Sequence, residues 1–403
     1  MKILHTGDWH LRDSDLGEAL KGLDLISEAV ANESPDLVVI AADIFNLRNV
    51  PLDSMAARVA MHNIRAWTDS VPVAIVTGTP YHEGLATTAF TDLSGSQHNV
   101  FVAVSPCQAV LCNGILYSLE DHPKYKPVDA ALVSFVPTPT KRYWADFMEN
   151  PGSDDDLAAA MSPIFAGFGA VAEGYGCPHI LVGHFSVRGA AINERQIMIG
   201  RDIEIGRDQI ALARADVVCL GHIHMAQKIE PNIFYCGSLH RINFGEREDK
   251  GFYIHNLFQD GGGLQWSEFV RSPVKGLVRL DFDMVNPTAY DLAGVVNRIA
   301  GADILVSIRN YADEAEKIDE GAIENFFLDR GALAVTMRIQ RVPRENVRSE
   351  NILVLSGLRD KVLEMARVNG EAAPPESVLL KADMLEAESA DEVLDLVKGG
   401  ANK

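Results

Sequence analysis

The chain has 403 residues, of which 47% are hydrophobic and 23% charged, and this composition indicates a soluble globular protein of about two or three domains. It contains 36 lysines and arginines against 56 aspartates and glutamates, so its formal net charge is −20. This acidic balance argues against a protein that binds nucleic acid over its whole surface, because affinity for the phosphate backbone comes from Lys and Arg. A bound metal ion or a partner subunit can supply positive charge locally instead.

The sequence shows no export signal and no apolar run of the length that spans a membrane. Its five cysteines are scattered, and none forms the C-x-x-C pair of a zinc or redox motif. We therefore expect a cytoplasmic protein with buried thiols and no membrane span.

Short apolar runs alternate with helical patterns over the first two thirds of the chain, as in β-α-β units. Helical spacing of apolar residues predicts helices over residues 16–31 and 54–67. The clearest buried strands are rich in Val, Ile and Leu, and they cover residues 3–6, 37–41, 73–77, 180–183 and 217–220.

The last third of the chain has a different pattern, which predicts two further domains. Strand-like alternation over 277–282 and 333–339, with a helical stretch over 287–299, indicates a small α+β domain at 276–345. A helix around Leu358 and a final helix over 389–398 indicate a C-terminal helical segment at 350–403. The first domain then covers residues 1–270.

Each of the five predicted strands is followed at its carboxyl end, or a few residues later, by Asp or His. In a parallel sheet these ends meet at one edge, where functional sites of open α/β sheets lie. A mixture of carboxylates and imidazoles without thiolates suits Mn, Fe, Zn or Mg. The residues concerned are Asp8, His10, Asp43, His82, His184, His222 and His224.

A single D-x-H or G-H pair is common by chance and indicates little. Five such matches in one order are not explained by packing, because a hydrophobic core does not repeatedly bury an ionisable residue after a strand. Two residues close to these motifs are not expected to be metal ligands. We expect His5 to be a hydrogen-bonded core residue and Trp9 to be a packing residue.

These motifs resemble the calcineurin-like metallophosphoesterase superfamily, whose ordered pattern is D-x-H, G-D, G-N-H-D, G-H and G-H-x-H. Residues 181–187 (LVGHFSV) and 235–246 (YCGSLHRINFGE) resemble the SbcD-type nuclease subunits within it. The resemblance implies an α/β fold with a core of two β-sheets flanked by helices, a small capping domain and C-terminal helices. It also implies a DNA exonuclease or endonuclease of double-strand-break repair.

Roles for single residues follow from this resemblance. It implies two divalent metal ions, with Mn as the expected ion, and His82 as the catalytic histidine. Asp8, His10 and His224 would hold one ion, His184 and His222 the other, and Asp43 would bridge them. The family also implies an SbcC-like coiled-coil ATPase partner at the C-terminal helices. It further implies a homodimer formed by helices of the first domain, near 54–67 and 88–93.

The third motif departs from the family pattern, because residues 78–83 read GTPYHE and lack the Asn that normally binds the second metal. Thr79, Asn46 or a water could fill that position, and Asn46 is otherwise a turn residue. We therefore expect the first metal to bind more tightly than the second. Two other functions remain open: an esterase for small phosphodiesters or phosphoproteins, and a catalytically weakened scaffold.

Overall fold

The fold comes from a computed structural model that describes residues 1–95, 97–121, 130–139, 154–192, 203–244, 246–287, 293–314, 317–343, 355–368 and 372–386. Its strands are β1 (Lys2–Thr6), β2 (Leu37–Ile40), β3 (Val73–Val76), β4 (Val100–Ala103), β5 (Cys107–Cys112), β6 (Ile115–Ser118), β7 (Ala131–Val136), β8 (His179–His184), β9 (Ser186–Val187), β10 (Glu204–Ile205), β11 (Val217–Gly221), β12 (Gln227–Glu230), β13 (Ile233–Tyr235), β14 (Gly251–Leu257), β15 (Leu264–Arg271), β16 (Gly276–Asp283), β17 (Ala302–Tyr311) and β18 (Ala334–Val342). Its α-helices are α1 (Leu16–Glu33), α2 (Met55–Trp67), α3 (Asp154–Tyr175), α4 (Arg207–Ala211), α5 (Ala293–Val296), α6 (Glu320–Leu328), α7 (Leu358–Val368) and α8 (Glu376–Glu386), and Ala86–Leu93 is a 3-10 helix.

Two large sheets form the centre of the fold. The first has the strand order β15-β14-β1-β2-β3-β4, and β1 to β4 run parallel to one another. The second has the order β12-β13-β11-β8-β7-β5-β6, with β7, β8, β11 and β13 parallel. All five strands predicted from the sequence lie in these parallel sections. Their carboxyl ends therefore emerge at one edge of each sheet.

The hydrophobic core has three layers. Side chains such as Val39 and Val76 from the first sheet pack with Phe135 and Val182 from the second, which fills the space between the sheets. Helices α1 and α2 cover the outer face of the first sheet, and α3 and α4 cover the outer face of the second. Because both faces of the parallel strands are covered, these strands are predominantly apolar. The predicted α/β fold, with two sheets flanked by helices, is confirmed.

The two helices predicted in the first domain are present with small changes at their ends. Helix α2 starts after Ser54, whose Oγ accepts a hydrogen bond from the backbone N–H of Ala57 at 3.2 Å. This is the N-cap arrangement that satisfies an otherwise unpaired N–H. Helix α1 continues to Glu33, and Ser34 ends it in the left-handed conformation, with φ 45°.

Within the described ranges, residues Asp156–Tyr175 of α3 form one helix that is long and apolar enough to cross a membrane by length and composition alone. Leu157, Met161 and Phe165 on this helix are buried in the core layer against the second sheet. This packing covers one face of the helix, and a third of its most apolar stretch (33%) is buried.

Contacts along the chain divide it into two compact units. The first consists of Met1–Leu280, Tyr290–Ser307 and Glu320–Arg338, and the second of Asp281–Ala289, Ile308–Asp319 and Ile339–Lys403. In the second unit α7 and α8 are joined by Arg359, whose guanidinium donates to Asp383 at 2.6 Å and to Glu376 at 2.7 Å.

A third sheet has the order β16-β17-β18. The strands predicted at 277–282 and 333–339 correspond to β16 and β18, whereas β17, α6 and α8 were not predicted. Of the helix predicted over 287–299, Ala293–Val296 are helical, whereas residues 297–299 are not and residues 288–292 lie outside the described ranges. The final helix predicted over 389–398 also lies outside the described residues.

Candidate metal centre

The ends of β1 and β2 run side by side into loops that carry the first candidate ligands. The N–H of Asp8 donates to the carbonyl of Ala42 at 3.0 Å, and the N–H of His10 donates to the carbonyl of Asp43 at 3.0 Å. Asp8, His10 and Asp43 have φ between 46° and 48°, and His222 at the end of β11 has φ 91°. Such values are uncommon outside glycine and cost on the order of 1–3 kcal/mol each. The fold tolerates this strain where the candidate ligands converge.

The first cluster consists of Asp8, His10 and His224, whose possible ligand atoms all lie within 4.8 Å of one another. The Nε2 atoms of His10 and His224 are only 3.0 Å apart. The buried Nδ1 of His10 has no hydrogen-bond partner among the described residues. Two neutral imidazole nitrogens that face each other beside a carboxylate form a donor set that fits a divalent cation.

The second cluster consists of Asp8, Asp43 and His184, again with ligand atoms within 4.8 Å. His184 Nε2 lies 3.2 Å from Asp43 Oδ2, and its Nδ1 lies 2.8 Å from the carbonyl of Ala41. Because a carbonyl can only accept, Nδ1 carries the proton and Nε2 is the nitrogen available to a metal. Asp43 also clusters with His10 and His82, so it has the central position of a bridging ligand.

His222 is the remaining predicted ligand, and it lies beside the second cluster. Its ring centroid is 5.1 Å from that of His184. Its backbone N–H donates to both carboxylate oxygens of Asp8, at 3.0 Å each. The structure thus brings all six predicted ligands to one place.

Two glycines permit the close approach of these loops. A Cβ on Gly221 would collide with the carbonyl oxygen of Ala41 and approach Nδ1 of His184. A Cβ on Gly78 would collide with the carboxylate of Asp43. The glycine that precedes the ligand in G-H-x-H, and the one that opens the third motif, are therefore required by packing around the ligands.

Burial and mutual charge interactions shift the acidity of these groups strongly. Burial raises the pKa of Asp8 to about 6, with the neighbouring Asp43 charge adding to it. Burial alone would lower the pKa of His184, but the nearby carboxylates of Asp43 and Asp8 raise this pKa to about 9. Burial lowers the pKa of His10 to about 3, which keeps this imidazole neutral. Two carboxylates this deeply buried are stable only with compensating positive charge, which a pair of divalent cations provides.

His82, the predicted catalytic residue, lies at the open side of the centre. Its ring stands edge-on to that of His10, with centroids 4.7 Å apart. Its Nδ1 lies 3.1 Å from Oδ1 of Asn46, and this amide oxygen accepts the Nδ1 proton. Asn46 is therefore occupied with His82, rather than replacing the missing amide ligand or serving only as a turn residue.

Thr79 follows Gly78 in the third motif, where the family pattern has the missing Asn. Its N–H donates to Asp43 Oδ1 at 2.7 Å, and its hydroxyl lies 3.2 Å from Asp43 Oδ2 and 3.4 Å from His184 Nε2. Tyr81, the other residue that could align with the Asn, has an exposed side chain. Of the candidates in this loop, Thr79 is the one that lies at the second cluster.

Glu83 is a residue of the centre that the sequence analysis did not single out. Its fully buried carboxylate accepts the N–H of Ile44 at 2.7 Å and the N–H of Gly78 at 2.9 Å. It therefore joins the loop after β2 to the loop after β3, and burial raises its pKa to about 8. The sequence motif could have indicated this residue, because Glu83 follows His82 at the position where the family pattern G-N-H-D has its Asp.

The two neighbours that were predicted to be structural are both buried and hydrogen-bonded, although His5 also has a possible ligand atom within 4.8 Å of those of Cys219 and His255. Trp9 is fully buried, packs edge-on against Trp67 at 5.8 Å, and donates its Nε1–H to the hydroxyl of Thr6. His5 bonds to His255 and to the carbonyl of Leu220, at 3.2 Å each.

Comparison with known families agrees with this geometry. The family model described as calcineurin-like phosphoesterase matches residues 1–226. The chain belongs to this family. Members are metallophosphoesterases, so the chain is a phosphoesterase-type hydrolase whose Asp and His clusters form its candidate metal site.

Two individual proteins are similar over longer stretches. The SbcD subunit of the nuclease SbcCD from Staphylococcus saprophyticus is 28% identical over 268 residues, which cover 63% of this chain and 65% of that protein. The chain thus spans just under two thirds of the length of this relative. The similarity confirms the resemblance to SbcD-type nucleases seen in the motifs. The solved structure of GAP50, the anchor in the inner membrane complex of Plasmodium, matches with a TM-score of 0.40 and 15% identity, over 68% of this chain and 89% of that one.

Proposed function

We propose that this chain is a metal-dependent nuclease that hydrolyses phosphodiester bonds in DNA during double-strand-break repair. The observation that carries the proposal is the convergence of the predicted ligands at one edge of the two sheets, with His82 beside them. The similarity to one component of a known nuclease supports DNA as the substrate.

In the proposed centre, three residues would hold one ion and two would hold the other, with Asp43 shared between them. Asp8, His10 and His224 form the first set, and His184 and His222 the second. The hydroxyl of Thr79 completes the second set in place of an amide oxygen. The donor set suits Mn, Fe, Zn or Mg, and we expect Mn because the resemblance to SbcD-type nucleases implies it. When bound, such ions neutralise phosphate charge and lower the pKa of a water.

His82 has the position of a proton donor to the leaving oxygen, a role that requires its ring to be protonated at both nitrogens. Asn46 accepts the Nδ1 proton, which fixes the ring and leaves Nε2 for the substrate. Burial lowers the pKa of His82, so the ring must first take up a proton at Nε2, and it then gives that proton up readily. The chain's own contribution to the chemistry is therefore to position the phosphate and to deliver one proton.

The C-terminal helices are proposed to bind an SbcC-like coiled-coil ATPase. Leu363 and Met365 on α7, and Val378 and Leu385 on α8, expose apolar side chains, which a partner helix could cover. The ATPase would also contribute positive charge that this chain, at −20, does not itself provide.

A homodimer is proposed through α2 and the neighbouring 3-10 helix. Leu52 and Met55, at the start of α2, are exposed and apolar, as is Leu85 immediately before the 3-10 helix.

Residues 276–345 are proposed to act as a capping domain that contacts DNA, and the complex is proposed to work in the cytoplasm.

The proposal is tested by incubating the purified protein with Mn and three substrates: linear duplex DNA, single-stranded DNA and a small chromogenic phosphodiester. Asp43→Ala and His82→Ala should each abolish most of the cleavage of DNA. Asp24→Ala, which changes an exposed aspartate on α1, is the matched control and should cleave like the wild type.

The outcomes distinguish the proposal from its alternatives. Cleavage of the small ester but never of DNA, with or without an SbcC-like ATPase, would instead indicate an esterase for small phosphodiesters, which the acidic charge favours. A wild-type protein that binds no metal and cleaves none of the substrates would indicate a scaffold.

A further inference from the structure

The loop over residues 236–246 contacts both loops that carry the first set of ligands. The N–H of Ser238 donates to the carbonyl of His224 at 3.1 Å. Nε2 of His240 donates to the carbonyl of Trp9 at 2.9 Å, between Asp8 and His10. This loop has neither helix nor strand in its described residues, so its shape depends on side-chain contacts.

Lys250 is a fully buried lysine that lies under this loop. Its ammonium group is 3.1 Å from the carbonyl of His224 and 2.9 Å from the hydroxyl of Ser238. It also pairs with carboxylate oxygens of Glu246 and Glu248, at 2.8 Å each. A buried ammonium is costly unless its charge is paired and its N–H groups are satisfied, and these four contacts meet both conditions.

Glu246 is also fully buried, and it connects Lys250 to the loop backbone. Its carboxylate accepts the N–H groups of Ile242 and Asn243, at 3.2 Å each, and the side-chain amide of Asn243 at 3.3 Å. One continuous network therefore runs from the loop through Glu246 and Lys250 to the carbonyl of His224.

We propose that Lys250 and Glu246 are positioning residues for His224. The His224 carbonyl accepts from both the Ser238 N–H and the Lys250 ammonium, which fixes the orientation of the peptide that carries this imidazole. Nε2 of His224 is thereby held 3.0 Å from Nε2 of His10. This inference rests on the proposed role of His224 as a ligand of the first metal, and it adds two residues that do not touch the metal.

The test measures metal binding rather than activity. Lys250→Met alone leaves the buried Glu246 carboxylate without a counter-charge, so the double variant Lys250→Met/Glu246→Gln is used to remove the buried ion pair. Mn is titrated calorimetrically into EDTA-treated protein, and circular dichroism checks the fold. We expect the tighter Mn site to weaken about 10–100-fold, the range for groups that orient ligands, while the weaker site stays unchanged.

The matched control is Lys2→Met/Glu33→Gln, which removes an exposed ion pair at the opposite end of β1. It should bind Mn like the wild type. A second variant, Ser238→Ala, keeps both charges but removes one partner of Lys250, and it should weaken the tighter site severalfold.

The results separate this inference from the proposed function. If the wild type binds two Mn ions and the folded double variant binds both with unchanged affinity, the inference is overturned and the proposed function stands. If the double variant does not fold, unchanged binding by Ser238→Ala overturns the inference. If the wild type binds no Mn, the proposed function itself fails.

Discussion

Asn46 shows how a single residue acquires a role that its place in the sequence does not reveal. It follows Asp43 by three positions, where SbcD-type nucleases usually have a histidine, and it orients His82 through a 3.1 Å contact. A ligand of the second metal and a residue that orients His82 would respond differently to substitution.

We expect Asn46→Ala to lower kcat about 10–100-fold while Mn stoichiometry stays unchanged, because the side chain orients His82 and binds no metal. The measurement combines steady-state cleavage with calorimetric Mn titration. Asn49→Ala, in the exposed part of the same loop, is the control and should match the wild type. Loss of one Mn ion from Asn46→Ala would show that Asn46 is a ligand after all.

Glu83 gives a second prediction, on stability. Both of its oxygens accept backbone N–H groups, whereas a glutamine would turn its amide nitrogen toward one of them. Glu83→Gln should therefore lose about 1–3 kcal/mol of unfolding free energy, the cost of a buried unsatisfied donor. Urea unfolding of the metal-free protein measures the loss. Glu28→Gln, on the exposed face of α1, is the control, and equal midpoints for both variants would contradict the prediction.

The candidate ligands could be picked out from the sequence, whereas the residues that support them could not. Asp8, Asp43 and His184 each follow an apolar strand, so their position is encoded locally. Glu83 and Lys250 act through backbone groups that are distant in the sequence, such as Ile44 and the carbonyl of His224, 26 residues from Lys250. Such partners become visible only when the loops are placed together.

Among the elements, the parallel strands were predicted well because both of their faces are buried, which leaves a continuous apolar run. Strand β17 was not predicted, although buried and half-buried side chains alternate at its ends. Its centre is a continuous Ile-Leu-Val run, which by itself does not distinguish a strand from a buried helix. Helix α6 was not predicted because two adjacent phenylalanines interrupt the spacing of apolar residues that is typical of a helix. One of them, Phe326, is exposed.

The close packing of the end of β11 against the loop after β2 depends on Gly221. A methyl group there would collide with the carbonyl of Ala41, which also accepts from His184. We expect Gly221→Ala to lose about 1–3 kcal/mol of stability, as overpacked cores do, and to weaken Mn binding. Gly167→Ala is the control, because nothing lies within 4 Å of the added Cβ on α3. Thermal unfolding and Mn titration measure both effects, and a Gly221→Ala protein as stable as the control would contradict the packing argument.

For the whole molecule, the acidic charge and the metal centre are linked. A chain with a net charge of −20 repels DNA over most of its surface, so attraction is confined to places where cations or a partner supply positive charge. The buried carboxylates of Asp8 and Asp43 contribute to the negative charge, and bound metal ions reverse its sign locally. Metal binding should then control both substrate attraction and the stability of the fold.

This coupling leads to a prediction for the intact protein. An ion that binds the folded state but not the unfolded one stabilises it in proportion to the logarithm of its concentration. The first set of ligands is complete with Asp43, whereas the second relies on the hydroxyl of Thr79 in place of an amide. Addition of Mn to EDTA-treated protein should therefore raise the Tm in two phases, at two separate Mn concentrations.

The variant Thr79→Asn restores the family's amide ligand and should bring the two phases together, while Thr88→Asn in the 3-10 helix is the exposed control. Differential scanning fluorimetry across a Mn series measures both. A single phase in the wild type, with two equally occupied sites, would show that the hydroxyl replaces the amide without loss.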